Sequence, residues 1–130
     1  MIVDSSAFAA ILFKEAEASR CAGSLEAAGA SAIRMSTATR LELAVVLHRK
    51  GLSHLEPTLD RMMAEASVDL VPFTASQLAI ARDAFARFGK GNHPARLNFG
   101  DCFAYALAKE LGEPLLFVGE DFSQTDIAAA

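Results

Sequence analysis

The chain has 130 residues, 52% of them hydrophobic, and a formal net charge of −4 at neutral pH. This size and apolar content are sufficient for one domain with its own core, and we expect a single domain over residues 1–130. No apolar run reaches the ~18 residues of a membrane span, no secretory signal opens the chain, and Cys21 and Cys102 are far apart. We therefore expect a cytoplasmic protein without disulfides or zinc, and one that does not bind nucleic acid by overall positive charge.

Short apolar runs alternate with segments of helical periodicity along the whole chain. The predicted strands share apolar or β-branched runs bounded by turn residues, and they cover 1–3, 31–35, 68–73 and 115–118. The predicted helices share apolar positions at helical spacing, and they cover about 5–12, 15–29, 37–50, 53–66, 75–88 and 98–111. Ser53 is the expected N-cap of the fourth helix, and Pro57 is tolerated there only in the first turn.

Strands that alternate with helices predict a parallel sheet with right-handed crossovers and helices on both faces. The glycines and the proline of residues 89–97 predict a loop. The final segment, 123–130, is a candidate either for a small edge strand or for a frayed end. We therefore expect an α/β fold with a central sheet of four to five strands.

Four acidic residues lie where an apolar run stops or a helical run begins. They are Asp4, Glu42, Asp101 and Asp121. Parallel sheets bind ligands beyond the carboxyl ends of their strands, so we expect these side chains to converge there. Clustered carboxylates repel one another, which raises the pKa of one or more of them unless a cation is present. Because carboxylate oxygens suit Mg²⁺ or Mn²⁺, the pattern indicates metal-dependent hydrolysis of phosphodiesters.

Each acid also has a purely structural explanation, and the sequence alone leaves the choice open. Asp4 is a candidate N-cap, and Asp121 a candidate turn residue. Glu42 follows Thr39 by three residues, as in a capping box, and Asp101 follows Asn98 by the same interval. Several polar side chains nearby are candidates for supporting such a site or for ordinary caps, namely Ser5, Ser6, Thr37, Thr39 and Asn98.

Four segments carry a resemblance to a known family. They are Ile-Val-Asp-Ser-Ser-Ala at the start, Thr-Ala-Thr-Arg-Leu-Glu-Leu, Leu-Asn-Phe-Gly-Asp-Cys-Phe-Ala-Tyr-Ala-Leu-Ala and Leu-Leu-Phe-Val-Gly-Glu-Asp-Phe. In this order they resemble the motifs of PIN-domain ribonucleases, and more closely those of the VapC-type toxins of bacterial toxin–antitoxin pairs. The resemblance extends over essentially the whole chain, and its most specific part is Asn-Phe-Gly-Asp.

The resemblance implies a three-layer α/β/α sandwich and an endoribonuclease that uses Mg²⁺ or Mn²⁺ to cut RNA, with tRNA and ribosomal RNA loops as the usual substrates. It assigns Asp4 and Asp101 as the principal metal ligands, Glu42 as the acid carried by a helix and Asp121 as the acid after the fourth strand. A site hydroxyl falls to Thr37 or Thr39, and the spacing does not decide between them. Whether one or two ions bind stays open.

The resemblance also implies a small antitoxin partner of the VapB type and a homodimer. Five apolar residues are candidates for either interface, or simply for the core, namely Phe8, Phe13, Leu52, Leu55 and Met62. The segment 82–96 is locally basic, so its residues Arg87, Lys90 and Arg96 are candidates for holding the RNA backbone. The alternative is a solvated helix face that runs into a polar loop.

Other functions are compatible with parts of this pattern. A non-catalytic binding module on the same fold would not need all four acids. A DNA-directed nuclease would use the same site, and the sequence does not exclude it. A phosphoacceptor receiver expects an aspartate after the third strand, where Leu-Val-Pro-Phe-Thr has none, and an aspartyl phosphatase expects a second acid two residues after Asp4.

Overall fold

In a computed structural model, which describes residues 1–29 and 32–130, four strands form one parallel sheet in the order β3-β2-β1-β4. The strands are β1 Ile2–Val3, β2 Ile33–Ser36, β3 Val68–Val71 and β4 Leu115–Leu116. The helices are α1 Ser5–Phe13, α2 Ala18–Ala28, α3 Thr37–Arg49, α4 Glu56–Glu65, α5 Ala75–Phe88 and α6 Asp101–Leu111. The predicted α/β class is confirmed, with four strands; Ser31, assigned to the second strand, lies outside the described residues.

Helices cover both faces of the sheet. Neighbouring residues of a strand point to opposite faces, so each strand contributes side chains to the contacts on both sides. Ile2 and Leu115 pack with Tyr105 of α6 in one core cluster. Val3 and Leu116, the next residue in each strand, pack in a second cluster with side chains of α1 to α4. Two cores separated by one sheet make the three layers of the sandwich.

The strand order reverses at β1. From β1 the chain moves to β2 and β3 on one side, while β4 pairs on the other side. Ligand crevices in such sheets open at this reversal, outside the carboxyl ends of the strands. Asp4 directly follows β1, and its N–H donates to the carbonyl of Leu116 in β4 (2.9 Å).

The fourth helix differs from its prediction at its start. Residues Ser53–Leu55 form a 3₁₀ turn, and α4 begins only at Glu56, with Pro57 in its first turn as expected. Ser53 is therefore not its N-cap. The hydroxyl of Ser53 instead lies 3.5 Å from Nδ1 of His48, at the end of α3. A proline suits the first helical turn because no N–H is needed there.

The C-terminal segment pairs with β4 through an isolated bridge and is hydrogen-bonded to α6. Leu115 donates to the carbonyl of Ala128 (2.9 Å), and Ala130 donates to that of Leu115 (3.0 Å), which makes an isolated bridge rather than a fifth strand. Asp126 accepts hydrogen bonds from the hydroxyl of Tyr105 (2.5 Å) and from Lys109 (2.8 Å). The bond from Lys109, followed by that from Tyr105, lowers the pKa of Asp126 to about 2.

The apolar residues considered for an interface pack in the cluster on the α1 to α4 side. Phe8 is buried there, whereas Phe13, Leu52, Leu55 and Met62 are half-buried against it. Within the described part of the chain, no helix is long and apolar enough to cross a membrane.

Candidate active site

Asp4 caps α1 and still keeps one oxygen free. Its Oδ2 accepts hydrogen bonds from the N–H (3.0 Å) and the hydroxyl (2.6 Å) of Ser6, and the carboxylate is only 3% exposed. Its Oδ1 is buried and has no hydrogen-bond partner among the described residues. The hydroxyl of Ser6 also accepts from the N–H of Val118 (3.0 Å), so it links Asp4 to the segment after β4.

Asp101 forms a reciprocal cap with Asn98 at the start of α6. The N–H of Asn98 donates to Oδ2 of Asp101 (2.7 Å), and the N–H of Asp101 donates to Oδ1 of Asn98 (3.1 Å). The regular helix begins at Asp101, three residues after the predicted start at Asn98. The cap uses one oxygen of Asp101 and fixes the direction of its carboxylate.

Glu42 has no capping role. The capping box with Thr39 is not formed, because the side chain of Ser36 caps α3 by accepting from the N–H of Ala38 (3.3 Å). Among the described residues, Oε2 of Glu42 and the hydroxyl of Thr39 are both buried without a partner. Sequence reasoning missed Ser36, although a serine directly before a helix is a common N-cap signal.

Gly100 makes room for the carboxylate of Glu42. A Cβ atom at position 100 would lie 2.0 Å from Oε1 and 2.5 Å from Cδ of Glu42. The backbone there has φ −64° and ψ −43°, which any residue can adopt, so conformation does not require glycine. The missing side chain is what lets α3 bring Glu42 against the start of α6.

The four acids lie near enough to one another for their charges to repel, and we call this group the acid pocket. Burial, with repulsion from Asp121, raises the pKa of Asp4, and burial followed by repulsion from Asp4 raises that of Glu42. Burial raises the pKa of Asp101 to about 7, with smaller contributions from its three acidic neighbours. Asp121 itself is exposed at the rim, after β4. The predicted convergence of the acids is thus what the structure shows, although it leaves their roles as predictions.

The donor set fits a hard divalent cation that keeps part of its water. Over residues 1–29 and 32–130, no three His, Cys, Asp or Glu side chains are grouped closely enough to hold a metal ion by themselves. However, Asp4 and Glu42 each keep one buried oxygen without a hydrogen-bond partner among the described residues, and the two carboxylates are near enough to repel each other. Mg²⁺ is commonly bound through one or two carboxylates and several waters. Asp4 and Glu42 are therefore candidate direct ligands, and Asp101, whose second oxygen lies outside its cap, and Asp121 are candidates beside them.

The remaining predicted site residues have different surroundings. The hydroxyl of Thr37 accepts from the N–H of Phe73 (3.3 Å) and so joins α3 to the segment after β3. Arg87 lies within 3.4 Å of Asp83 and of Asp126, with its guanidinium over the ring of Phe88. Two other basic residues, Lys90 and Arg96, are exposed and make no ion pair within the described part of the chain.

Comparison with known proteins supplies a family context for this pocket. The PIN domain family matches residues 1–128. The chain is 47% identical over 129 residues to Ribonuclease VapC30 of Mycobacterium tuberculosis, a match that covers 98% of this chain and 96% of that relative. It is 46% identical over 129 residues to Ribonuclease VapC of Mycolicibacterium smegmatis, with 99% and 98% covered.

A solved structure has a similar fold. The crystal structure of VapC20 from Mycobacterium tuberculosis, a sarcin-ricin loop cleaving toxin, superposes with a TM-score of 0.77. The match covers 99% of this chain and 97% of that one, at 18% sequence identity. At this identity the likeness shows the fold alone.

The raised pKa of Asp101 predicts that the protein without cations is less stable at higher pH. The folded state favours the protonated carboxyl, so its stabilising contribution is full below the ordinary pKa of 3.8 and is lost as the pH rises through about 7. Urea denaturation in EDTA should show the free energy of unfolding falling by on the order of 2 kcal/mol over this interval. Asp101→Asn, which keeps an oxygen for the cap, should reduce the slope; an unchanged slope would contradict this origin.

Gly100→Ala should displace the carboxylate of Glu42 without unfolding the protein. Alanine is favourable in this helical backbone, and only the flexible end of Glu42 has to move, so thermal stability should change little. Because misplacing a functional group by about 1 Å can cost about 100-fold, RNA cleavage should fall by roughly that factor. Gly23→Ala in α2, where an added Cβ meets nothing within 4 Å, is the matched control and should cleave like the unmodified chain.

Proposed function

Because the chain belongs to the PIN domain family and, within it, to the VapC ribonucleases, we propose that it is an endoribonuclease toxin that hydrolyses RNA with the help of Mg²⁺ or Mn²⁺. The observation that supports the cation requirement is a pair of buried oxygens, Oδ1 of Asp4 and Oε2 of Glu42, that have no hydrogen-bond partner in the described part of the chain and lie among mutually repelling acids. Leaving such acceptors unpaired is costly, and a divalent cation removes the cost.

Hydrogen bonds within the chain orient the acids of this pocket in the absence of substrate. Asp4 and Glu42 would hold the cation, which when bound supplies a hydroxide near neutral pH and offsets phosphate charge. Ser6 aligns Asp4 through two hydrogen bonds, and Asn98 aligns Asp101 through its reciprocal cap. Side chains held by such bonds keep the orientation that catalysis needs. Cleavage should leave a 5′-phosphate and a 3′-hydroxyl, without participation of the 2′-hydroxyl.

We propose an exposed loop of tRNA or ribosomal RNA as the substrate, and the cytoplasm as the place where the protein meets it. Unpaired bases can be splayed into a cleft, whereas duplex RNA shields them. Lys90 and Arg96 are free to contact the RNA backbone because neither forms an ion pair within the described residues. Arg87 is a weaker candidate, since its guanidinium is already held by Asp83, Asp126 and Phe88.

We propose that a VapB-type antitoxin binds in a groove between α1, α2 and α4. Phe8, Ile11, Leu25 and Met62 are among the residues that line its volume of about 440 Å³, and the carboxylates of Glu26 and Glu65 lie at the same groove. An amphipathic helix could lay its apolar face there, with basic residues toward the two glutamates. Two of the residues predicted for this role, Phe8 and Met62, line the groove.

A homodimer is implied by the family resemblance, and the sedimentation velocity of the purified chain measures it. DNA is an alternative substrate because the proposed chemistry does not use the 2′-hydroxyl. Single-stranded DNA of the same sequence as the RNA is therefore part of the cleavage experiment, and faster cutting of the DNA would favour that reading.

The catalytic proposal predicts cleavage that requires both a divalent cation and the buried acids. Purified protein should cut a structured RNA with Mg²⁺ or Mn²⁺, and Asp4→Asn or Asp101→Asn should reduce the rate by about 100-fold or more. Circular dichroism should show both variants folded, because asparagine retains an oxygen for each cap. Asp69→Asn, the same change at an exposed residue of β3 that forms no ion pair in the described part of the chain, should leave the rate unchanged. Undiminished cutting in excess EDTA would falsify the cation requirement.

The antitoxin groove predicts a position-specific loss of binding. A small protein encoded by a short reading frame directly upstream should co-purify with the chain, and Ala22→Glu in the groove should abolish this by burying a charge. The control is Ala27→Glu, on the exposed side of the same helix and outside the groove lining. Equal co-purification of the two variants would place the antitoxin elsewhere.

A further inference from the structure

Thr39 is completely buried, yet the fold gives its hydroxyl no partner. The side chain is 0% exposed, and its Oγ1 makes no hydrogen bond within residues 1–29 and 32–130. Leaving a buried hydroxyl unpaired is unfavourable. Thr37, two residues earlier, is different, because it is exposed and its hydroxyl accepts from the N–H of Phe73. The hydroxyl of Thr39 therefore calls for a partner that the described part of the chain does not supply.

The two acids with unpaired oxygens lie beside this hydroxyl. Glu42 follows Thr39 by three residues on the same face of α3, and side chains at this spacing have Cβ atoms about 5–6 Å apart. In the parallel pairing of β1 with β2, Asp4 lies level with Ser36, the residue directly before α3. The carboxylates of Asp4 and Glu42 are near enough to repel each other. The three side chains therefore meet at the ends of two adjacent strands.

Unpaired buried oxygens are concentrated at this place. In the part of the chain that the structure describes, four buried side-chain oxygens lack a hydrogen-bond partner: Oδ1 of Asp4, Oγ1 of Thr39, Oε2 of Glu42 and Oε1 of Gln77. Three of the four lie at the acid pocket, and the fourth belongs to α5. Such a concentration indicates that the pocket binds a polar molecule.

The hydrogen-bonding capacities of these three oxygens match one water molecule. A hydroxyl donates one hydrogen bond, whereas an ionised carboxylate only accepts. A water molecule can donate to Oδ1 of Asp4 and to Oε2 of Glu42 while it accepts from Thr39. Buried waters typically make about three hydrogen bonds to protein groups. A cation alone would leave the hydroxyl hydrogen of Thr39 without an acceptor, so the hydroxyl specifically favours water.

A purely local partner for the hydroxyl is the competing explanation. Threonine hydroxyls in helices often bond to a backbone carbonyl three or four residues earlier. For Thr39 those carbonyls belong to Ser36 and Met35, and its hydroxyl bonds to neither. Both residues are in β2, so the usual preceding turn of helix is missing.

We propose that Thr39 is a positioning residue whose hydroxyl holds one water molecule between Asp4 and Glu42. This inference rests on the proposed ribonuclease function and adds a neutral donor to a pocket of acids. Mg²⁺ keeps several waters when carboxylates bind it, so with a cation in the pocket the same hydroxyl would orient one of those waters. Thr39 would thus act through water, without touching the RNA.

The water itself is the first test. A crystal structure of the unmodified chain grown in EDTA should show a water within about 3.2 Å of Oγ1 of Thr39, Oδ1 of Asp4 and Oε2 of Glu42. A Thr39 hydroxyl bonded to the carbonyl of Ser36 or Met35, with no water between the acids, would overturn the inference.

Cation affinity is a second test, and a merely structural hydroxyl would not change it. Thr39→Val keeps the shape of the side chain without the hydroxyl. It should weaken Mn²⁺ binding by about 10-fold or more, as loss of a group behind a metal ligand typically does. Thr39→Ser should restore most of the affinity. Thr58→Val, the same change at a half-buried position of α4, is the matched control and should bind Mn²⁺ like the unmodified chain. Electron paramagnetic resonance of free Mn²⁺ measures each titration.

The outcomes separate this inference from the function on which it rests. If the unmodified chain binds Mn²⁺ and cleaves RNA but Thr39→Val binds Mn²⁺ equally well, the role of Thr39 is wrong and the ribonuclease proposal stands. If the unmodified chain neither binds Mn²⁺ nor cleaves RNA, the proposed function fails, and this inference with it. Should circular dichroism show that Thr39→Val does not fold, the smaller Thr39→Ala takes its place with the same expected loss.

Discussion

Mutual repulsion of buried carboxylates at one end of a parallel sheet is the constraint on which this structure depends. Burial and neighbouring charge both oppose ionisation of Asp4, Glu42 and Asp101. The fold offsets part of this cost with backbone N–H groups, because α1 and α6 begin at the pocket and helix N-termini favour negative charge. Under the proposed function, a divalent cation would neutralise the negative charge that these donors do not balance.

Capping and chemistry are compatible at Asp4 and Asp101. A carboxylate has two oxygens, and in each residue one oxygen accepts the bonds that start a helix while the other stays outside the cap. The structural explanation of these acids is therefore true without displacing the functional one. Glu42 is different: it has no capping role, and only the missing side chain of Gly100 permits its position. Its placement is hard to explain by helix stability alone.

The rim of the sheet is divided into two chemical regions. Acids occupy the ends of β1 and β4 and the early turns of α3 and α6, whereas aromatic rings occupy the end of β3. On the other side of the sheet, α1, α2 and α4 leave a separate groove, which is the proposed binding surface of the antitoxin.

The sequence by itself determined the kinds and order of the elements, the bounds of α5, the family and the four acids, because periodicity, caps and short motifs are local signals. Only the tertiary structure decided what depends on distant residues meeting. The strand order placed the candidate site at the end of β1, and the fold brought Asp126 to form an ion pair with Arg87. The approach of α3 to α6 explained Gly100, and the approach of β3 to α6 assembled three phenylalanines that lie apart in the chain. Local sequence signals also failed to predict the first turn of α4, because Ser53 lies beside His48 instead of capping the helix.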